Sequence, residues 1–162
     1  MDIKLEFYNK VNYDKKIVKE CEDLAYSQHV DNGGTLRLRG LVGFSSSLLC
    51  ARDENGKIVG FVSLYRDYHF PGDLYVTQIA VSKDCVKQGV ASKMIQCIID
   101  NSRGYTCFSA DVRFDNIASN ALFTKMGFIR NSRNNSYAYA LDLRRIDNRK
   151  RFEETFKRGR KI

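Results

Sequence analysis

Residues 76–100, VTQIAVSKDCVKQGVASKMIQCIID, constrain the fold of this chain more than any other stretch. Residues 74–81 are rich in Val, Ile, Tyr and Thr and read as a β-strand. A polar stretch, 82–88, follows. Gly89 then opens a helix in which Ala91, Met94, Ile95, Ile98 and Ile99 fall on one face at helical spacing. A helix with one apolar stripe needs a surface on which to bury it, and the adjoining strand supplies a sheet. The fold class is therefore α/β (α+β), a sheet with helices on its faces.

The remaining pattern agrees. Residues 3–8 alternate Ile, Leu and Phe with charge and Tyr, a short strand. Asp14 can cap a helix in which Ile17, Val18, Cys21, Leu24 and Ala25 share a face. Residues 31–34 form a loop, and 35–47 read as either a short helix or an irregular excursion. Apolar runs at 48–52 and 57–65 flank Asn55-Gly56, a hairpin signal because both residues tolerate positive φ. Residues 105–112 read as a strand. Asp115 or Asn116 starts a further helix and Gly127 ends it. Residues 128–130 and 136–143 form a last strand pair, with Tyr137, Tyr139, Leu141 and Leu143 on one face.

At 162 residues the chain fits one domain, by the usual range of roughly 100–200 residues. Its 43% hydrophobic and 28% charged residues suit a packed globular core rather than a disordered or collagen-like chain. The longest mostly apolar run, 58–65, is broken by Gly60 and Ser63; a membrane helix needs about 20 apolar residues, so no bilayer crossing is expected. MDIKLEF at the N-terminus has no apolar signal-peptide core. Five scattered cysteines, without a C-x-x-C pair, and two distant histidines, His29 and His69, give no metal site and no complete disulfide framework. Reduced thiols and a cytoplasmic location are expected. The net charge is +8, but residues 144–162 carry nine basic residues against three acidic, a net of +6. The expected organisation is a nearly balanced body, 1–143, and a basic C-terminal tail, 144–162.

The strand–loop–glycine–helix segment is a candidate phosphate cradle. Backbone N–H groups of a first helical turn lack intrahelical partners and carry partial positive charge. Gly89 lets an anion approach the backbone, Ala91 keeps the first turn small, and Lys83, Lys87 and Lys93 add charge. The plain alternative is an ordinary strand–helix junction with solvated lysines. Gly-Lys-Ser/Thr is missing, so this is not a Walker loop, and a single glycine does not make a dinucleotide fingerprint.

A second segment, ADVRFDNIASNALFTKMGFIRN, lies downstream. Together the two resemble the GNAT acetyltransferase superfamily. Val86-Lys87-Gln88-Gly89-Val90-Ala91 stands where that family has Arg/Gln-x-x-Gly-x-Gly/Ala; Gly89 and Ala91 match, and Val86 departs. Val112, Asn116, Ala121, Leu122, Phe123, Gly127 and Phe128 match the family's "V…N…A…LY…GF" block, with Gly89 and Asn116 27 residues apart. The resemblance covers the body without the tail. It implies a mixed, mostly antiparallel central sheet with splayed parallel middle strands and helices on both faces. It implies acetyl-CoA as co-substrate, with its arm along Ile79, Ala80 and Val81. The pyrophosphate would lie on Lys87, Gln88, Gly89, Val90, Ala91 and Ser92, and Asn116 and Phe123 would stand beside the cofactor.

The reaction implied is direct attack of a primary amine on the thioester. An alkylamine with a pKa near ~10.4 arrives protonated, so a group must take its proton. Many members use a glutamate on the strand before the pyrophosphate loop. That position lies near Tyr75 here, which makes Tyr75 a candidate catalytic residue, on a strand with no acid beyond Asp73. The ribosomal-protein N-terminal acetyltransferases have Leu-Glu-Val-Arg-x-x-Asn on the next strand, which Ala110-Asp111-Val112-Arg113-Phe114-Asp115-Asn116 matches. Asp111 is the candidate base; the alternative is a surface aspartate paired with Arg113. Phe123 replaces the family's tyrosine acid, which leaves water, Tyr137 or Tyr139 as substitutes.

The expected activity is transfer of an acetyl group from acetyl-CoA to a small-molecule or peptide amine. Two rival readings are a non-enzymatic CoA-binding module, favoured by Val86 and Phe123, and a nucleic-acid-associated protein acting through the tail. The body lacks the interleaved aromatic and basic pattern of an RNA-binding sheet, so nucleic acid is disfavoured. Phe152 and Phe156, one helical turn apart, would let the tail act as an arm on a second protomer, giving a homodimer. The two histidines read as structural or surface residues.

Overall fold

The computed structural model describes residues 2–9, 15–31 and 47–145. Residues 146–162 of the expected tail, the Asp14 cap and residues 35–46 of the excursion lie outside these residues, as does the side chain of His29. In chain order the elements are β1 (Lys4–Asn9), α1 (Lys15–Asp31), β2 (Ser47–Arg52), β3 (Ile58–Arg66) and β4 (Asp73–Val81), then α2 (Val90–Asp100), β5 (Cys107–Arg113), α3 (Ile117–Lys125), β6 (Ile129–Ser132) and β7 (Ser136–Asp142). They form a seven-stranded sheet of order β1-β2-β3-β4-β5-β7-β6. Every neighbouring pair is antiparallel except β4 and β5, which are parallel. The mixed, mostly antiparallel sheet with helices on both faces is the expected class.

The helices form where the apolar stripes predict. Met94, Ile95, Ile98 and Ile99 of α2, joined by Val90 and Cys97, pack with Leu74, Val76, Phe108, Ala110 and Phe123 in the larger core. Cys21 and Ala25 of α1 pack on the opposite face, against Leu48, Cys50, Phe61 and Ala80. No helix of the described residues is long and apolar enough to cross a membrane.

The 52–58 hairpin forms where Asn55-Gly56 signals it. Only Gly56 takes positive φ, at 80°. Asp53 instead organises the loop: its backbone N–H donates to Lys57 O at 2.9 Å, and its Oδ1 accepts from Asn55 N and Lys57 N at 2.9 and 3.0 Å. A carboxylate that satisfies two loop N–H groups permits a longer turn than a two-residue Asn-Gly connection.

Two local features place the middle of the sheet. Ser63 pairs with Gln78 while Leu64 pairs with Val76, so Thr77 is an extra residue on β4, a β-bulge. The Thr77 hydroxyl closes it by donating to Ser63 O at 3.1 Å, with the Ser63 hydroxyl 2.6 Å away. Gly60 on β3 lets the start of α2 seat against the sheet. A Cβ there would lie 3.1 Å from Met94 Cε and 3.3 Å from both Ala80 O and Val90 Cγ1. The Met94 end can turn aside, but the Ala80 carbonyl belongs to the β4 backbone. Gly60→Ala is therefore expected to lower stability by about 1–3 kcal/mol. Urea unfolding measures it; unchanged stability would mean that α2 rides freely over β3.

Candidate functional site

The pairing of β4 with β5 is short. Asp73, Leu74, Tyr75 and Val76 pair with Cys107, Phe108, Ser109 and Ala110, and among the described residues the ladder goes no further. Beyond it, at the bulge, β4 follows β3 and β5 follows β7, so the two strands part. Ile79, Ala80 and Val81 lie on the parted length of β4, where their register is set by β3 alone. Gln78, one residue past the bulge, is 6% exposed, and neither its Oε1 nor its Nε2 is bonded among the described residues. Buried amides are nearly always paired, so such an orphan marks a place for a ligand or water.

At the carboxyl end of β4 the chain makes a 3₁₀ turn at Lys83–Cys85, anchored by the buried Cys85 side chain. Lys87 and Gly89 follow, both with positive φ, at 64° and 78°. Gly89 caps α2, and no side chain satisfies that cap. The first free N–H groups of α2, on Val90, Ala91 and Ser92, therefore face outward with the lysines of the loop. A Cβ at Gly89 would meet nothing within 4 Å, so open space lies against its Cα. Val90 is buried, and Gln88 spends its Nε2 on Asp84 O at 3.1 Å. Val86 is 51% exposed and supplies no charge.

The two residues singled out for chemistry are in contact. The Tyr75 hydroxyl donates to Asp111 Oδ2 at 2.9 Å. Burial, and then the Asp111 carboxylate, hold the Tyr75 phenol well above the ordinary tyrosine range, so it remains a neutral donor. Asp111 itself is exposed, and its Oδ1 is unbonded among the described residues. Arg113 does not pair with Asp111. It alternates to the same face but lies two residues on, and its guanidinium turns to Asp115 at 3.3 Å.

Beside this pair stands a buried carboxylate that no motif revealed. Asp73, fully buried at the head of β4, accepts from Ser109 Oγ at 2.7 Å and from His69 at its ring Nδ1, 2.6 Å, and its backbone N, 3.2 Å. His69, expected to be a structural or surface residue, is bonded to Asp73 and lines the groove beside Asp111. The β3–β4 loop that carries it is pinned at both ends. Asp67 Oδ1 accepts from Gly72 N at 2.7 Å, and Gly72 O accepts from Thr106 N and Cys107 N at 2.9 and 3.2 Å. Tyr68 of the same loop stacks on Tyr75, with centroids 4.4 Å apart, and the His69 ring meets Tyr75 edge-on at 5.1 Å. The Cys107 thiol, opposite Asp73, is pushed up to about 11, first by burial and then by Asp73, and offers no thiolate nucleophile at neutral pH.

On this face β5, β7 and β6 present a groove of about 330 Å³. Its floor is Ser109, Ala138 and Ala140; His69, Phe70 and Asp111 wall one side, and Ile129, Asn131 and Arg133 the other. The remaining candidates lie on the opposite, helix-covered face. Asn116 caps α3 by accepting from Ser119 N at 3.2 Å. Phe123 is 1% exposed, packed between Phe128 and Tyr139. Tyr139 donates to Asn120 Oδ1 at 2.7 Å, and Arg130 lies over the Tyr137 ring at 4.2 Å. Tyr139 lies beside Phe123 with its hydroxyl bonded to Asn120, and Tyr137 alternates to the same side of β7. Asn120 escaped the sequence reading: it also donates to Arg113 O and Asn116 O, both at 2.9 Å, and ties β5, α3 and β7 together.

A family model described as "Acetyltransferase (GNAT) family" matches residues 15–128. No curated protein sequence matches the chain. Solved structures share the fold. The diaminobutyrate acetyltransferase of Paenibacillus lautus, in complex with L-2,4-diaminobutyric acid and coenzyme A, superposes with a TM-score of 0.65 at 18% identity, over 90% of this chain and 98% of its own. A GNAT-family acetyltransferase of Staphylococcus aureus Mu50 gives 0.68 at 13% identity, over 86% and 99%. The ribosomal-protein-S18-alanine N-acetyltransferase of Escherichia coli gives 0.60 at 16%, over 86% and 94%.

The Asp73 cluster has a stability consequence. Hydrogen bonds to a buried charge contribute about 1.5–3 kcal/mol. Ser109→Ala removes one donor from Asp73 without adding bulk, so a loss of that size is expected in urea unfolding. A variant as stable as the parent would show that the carboxylate is satisfied by His69 alone.

Proposed function

The chain belongs to the GNAT acetyltransferase family, and on that premise we propose that it transfers the acetyl group of acetyl-CoA to a primary amine by direct attack. The observation that carries the reading is the Tyr75–Asp111 pair standing where β4 and β5 part, with an uncapped helix start at the far end of β4.

The residues present fit the cofactor. The open space against Gly89, the free N–H groups of Val90 to Ser92, and Lys87 and Lys93 suit a pyrophosphate. The parted edges of β4 and β5, with the orphaned Gln78 amide nearby, offer polar partners to an amide-bearing arm. Bound acetyl-CoA supplies an electrophilic carbonyl and a thiol leaving group of pKa ~8.5, which can depart as thiolate. A donor at position 123 is then dispensable, and the buried Phe123 is compatible with turnover.

Asp111 does the proton chemistry in this reading. Tyr75 holds Oδ2, which fixes the carboxylate and leaves Oδ1 to take a proton from the incoming ammonium. Tyr75 is a poor proton donor to a thiolate, because its phenol is held above its ordinary range; it positions Asp111. His69 and Asp73 keep the Tyr75 ring in place through the pinned loop. A cytoplasmic setting goes with this reading, since scattered cysteines without a C-x-x-C pair suit reduced thiols. The test is incubation with acetyl-CoA and a panel of amines, followed by release of free thiol; CoA binding without release would favour the non-enzymatic reading.

Two variants separate cofactor from chemistry. Gly89→Asp puts a negative charge at the helix start while Asp tolerates the backbone conformation. CoA affinity by isothermal titration is expected to fall by about tenfold or more, with the fold retained. Affinity equal to the parent would remove the cradle. Asp111→Asn is expected to lower turnover by roughly 10²–10⁴ with CoA binding intact, and to abolish the acidic limb of the pH–rate profile. Tyr75→Phe keeps the carboxylate and so retains that limb with a smaller loss. An Asp111→Asn enzyme with parental turnover would assign the proton to solvent.

A further inference from the structure

Resting on that acetyl-transfer reading, we propose that the acceptor is a small amine that also carries a carboxylate, an amino acid or close analogue, with its amine at Asp111 and its carboxylate at Arg133. Both residues line the one groove described on the exposed face of β5, β7 and β6. The strand register sets their geometry. Asp111 pairs with Ala138, which pairs with Asn131, and the Arg133 backbone N–H donates to Ser136 O one ladder step further on. Arg133 is thus two strands across and two residues along from Asp111, about 12 Å between backbones at ordinary strand spacings.

Between them the floor is Ala138, whose methyl leaves room for a ligand above the sheet. The Arg133 guanidinium takes part in no ion pair or side-chain hydrogen bond among the described residues, in contrast to Arg113, which is held by Asp115. An arginine side chain that reaches back along the groove shortens the span to that of a small zwitterion, and its planar fork suits a carboxylate. Asn131 adds an amide on the same wall. Phe70 and Ile129, 47% and 74% exposed, border the Ser109–Ala140 row and offer an apolar surface to a side chain. An amine without an anionic group would use only half of these contacts. A groove of about 330 Å³ suits a molecule of amino-acid size.

The test measures thiol release from acetyl-CoA with alanine, leucine and lysine, each set against its decarboxylated amine: ethylamine, 3-methylbutylamine and cadaverine. The carboxylated member of at least one pair is expected to show kcat/KM roughly tenfold or more above its partner, a factor typical of one charge-assisted contact. Arg133→Ala should collapse that ratio through KM rather than kcat, and Arg133→Lys should restore part of it. Equal rates within every pair, or a ratio that Arg133→Ala leaves intact, overturns the proposal while leaving acetyl transfer standing. If no amine is acetylated, the acetyl-transfer reading fails. The groove is then judged by titrating the three amino acids into the CoA-loaded protein: saturable binding lost in Arg133→Ala supports it, and no binding overturns it.

Discussion

Four ladder pairs between β4 and β5, cut short by one extra residue at Thr77, are the constraint on which the rest of the site depends. The bulge turns β4 toward β3 and releases it from β5. Backbone groups left unpaired inside a protein cost about 1–3 kcal/mol each, so such an opening persists only where both strands are held from outside. That condition is met. β4 is registered on β3 along its whole length, from Arg66–Leu74 to Gly60–Val81, and β5 is paired with β7 at all seven of its residues. The opening belongs to the sheet and does not need a ligand to form.

Two aspartates at the base of that opening have different work because their surroundings differ. Asp73 is buried and accepts three hydrogen bonds from His69 and Ser109; it fixes the β3–β4 loop and exchanges nothing with solvent. Asp111 is exposed and has one oxygen held by Tyr75. Only the second is open to an incoming group. The stacked ring of Tyr68 and the edge of His69 keep Tyr75 where its hydroxyl reaches Asp111, so the loop's rigidity is part of the site's geometry.

Much of this arrangement was legible in the chain. Apolar patterns located most of the ten described elements, because burial of one face imposes such periods wherever an element packs on a core, and helix-end residues located α3. The motif residues Gly89, Asn116 and Gly127 took the helix-end roles expected of them. The hairpin was legible in Asn55-Gly56, but the Asp53 carboxylate that closes its loop, four residues from its farthest partner, was not. The partners of His69 were not legible, because Asp73, and through it Ser109 at 36 residues' distance, has no spacing that a sequence displays.

The sequence by itself determined the layered fold, the helix that starts at an open glycine and the presence of an acid on β5, since each is a property of local composition and period. The tertiary structure alone decided that Tyr75 and Asp111 touch. It decided that Tyr137 and Tyr139 project to the face opposite Asp111, and that Arg133 shares a groove with the acid. These are consequences of strand order and register. A two-residue step along a strand keeps a side chain on its face and a one-residue step moves it to the other, so only the pairing β4–β5–β7–β6 could set which polar groups meet.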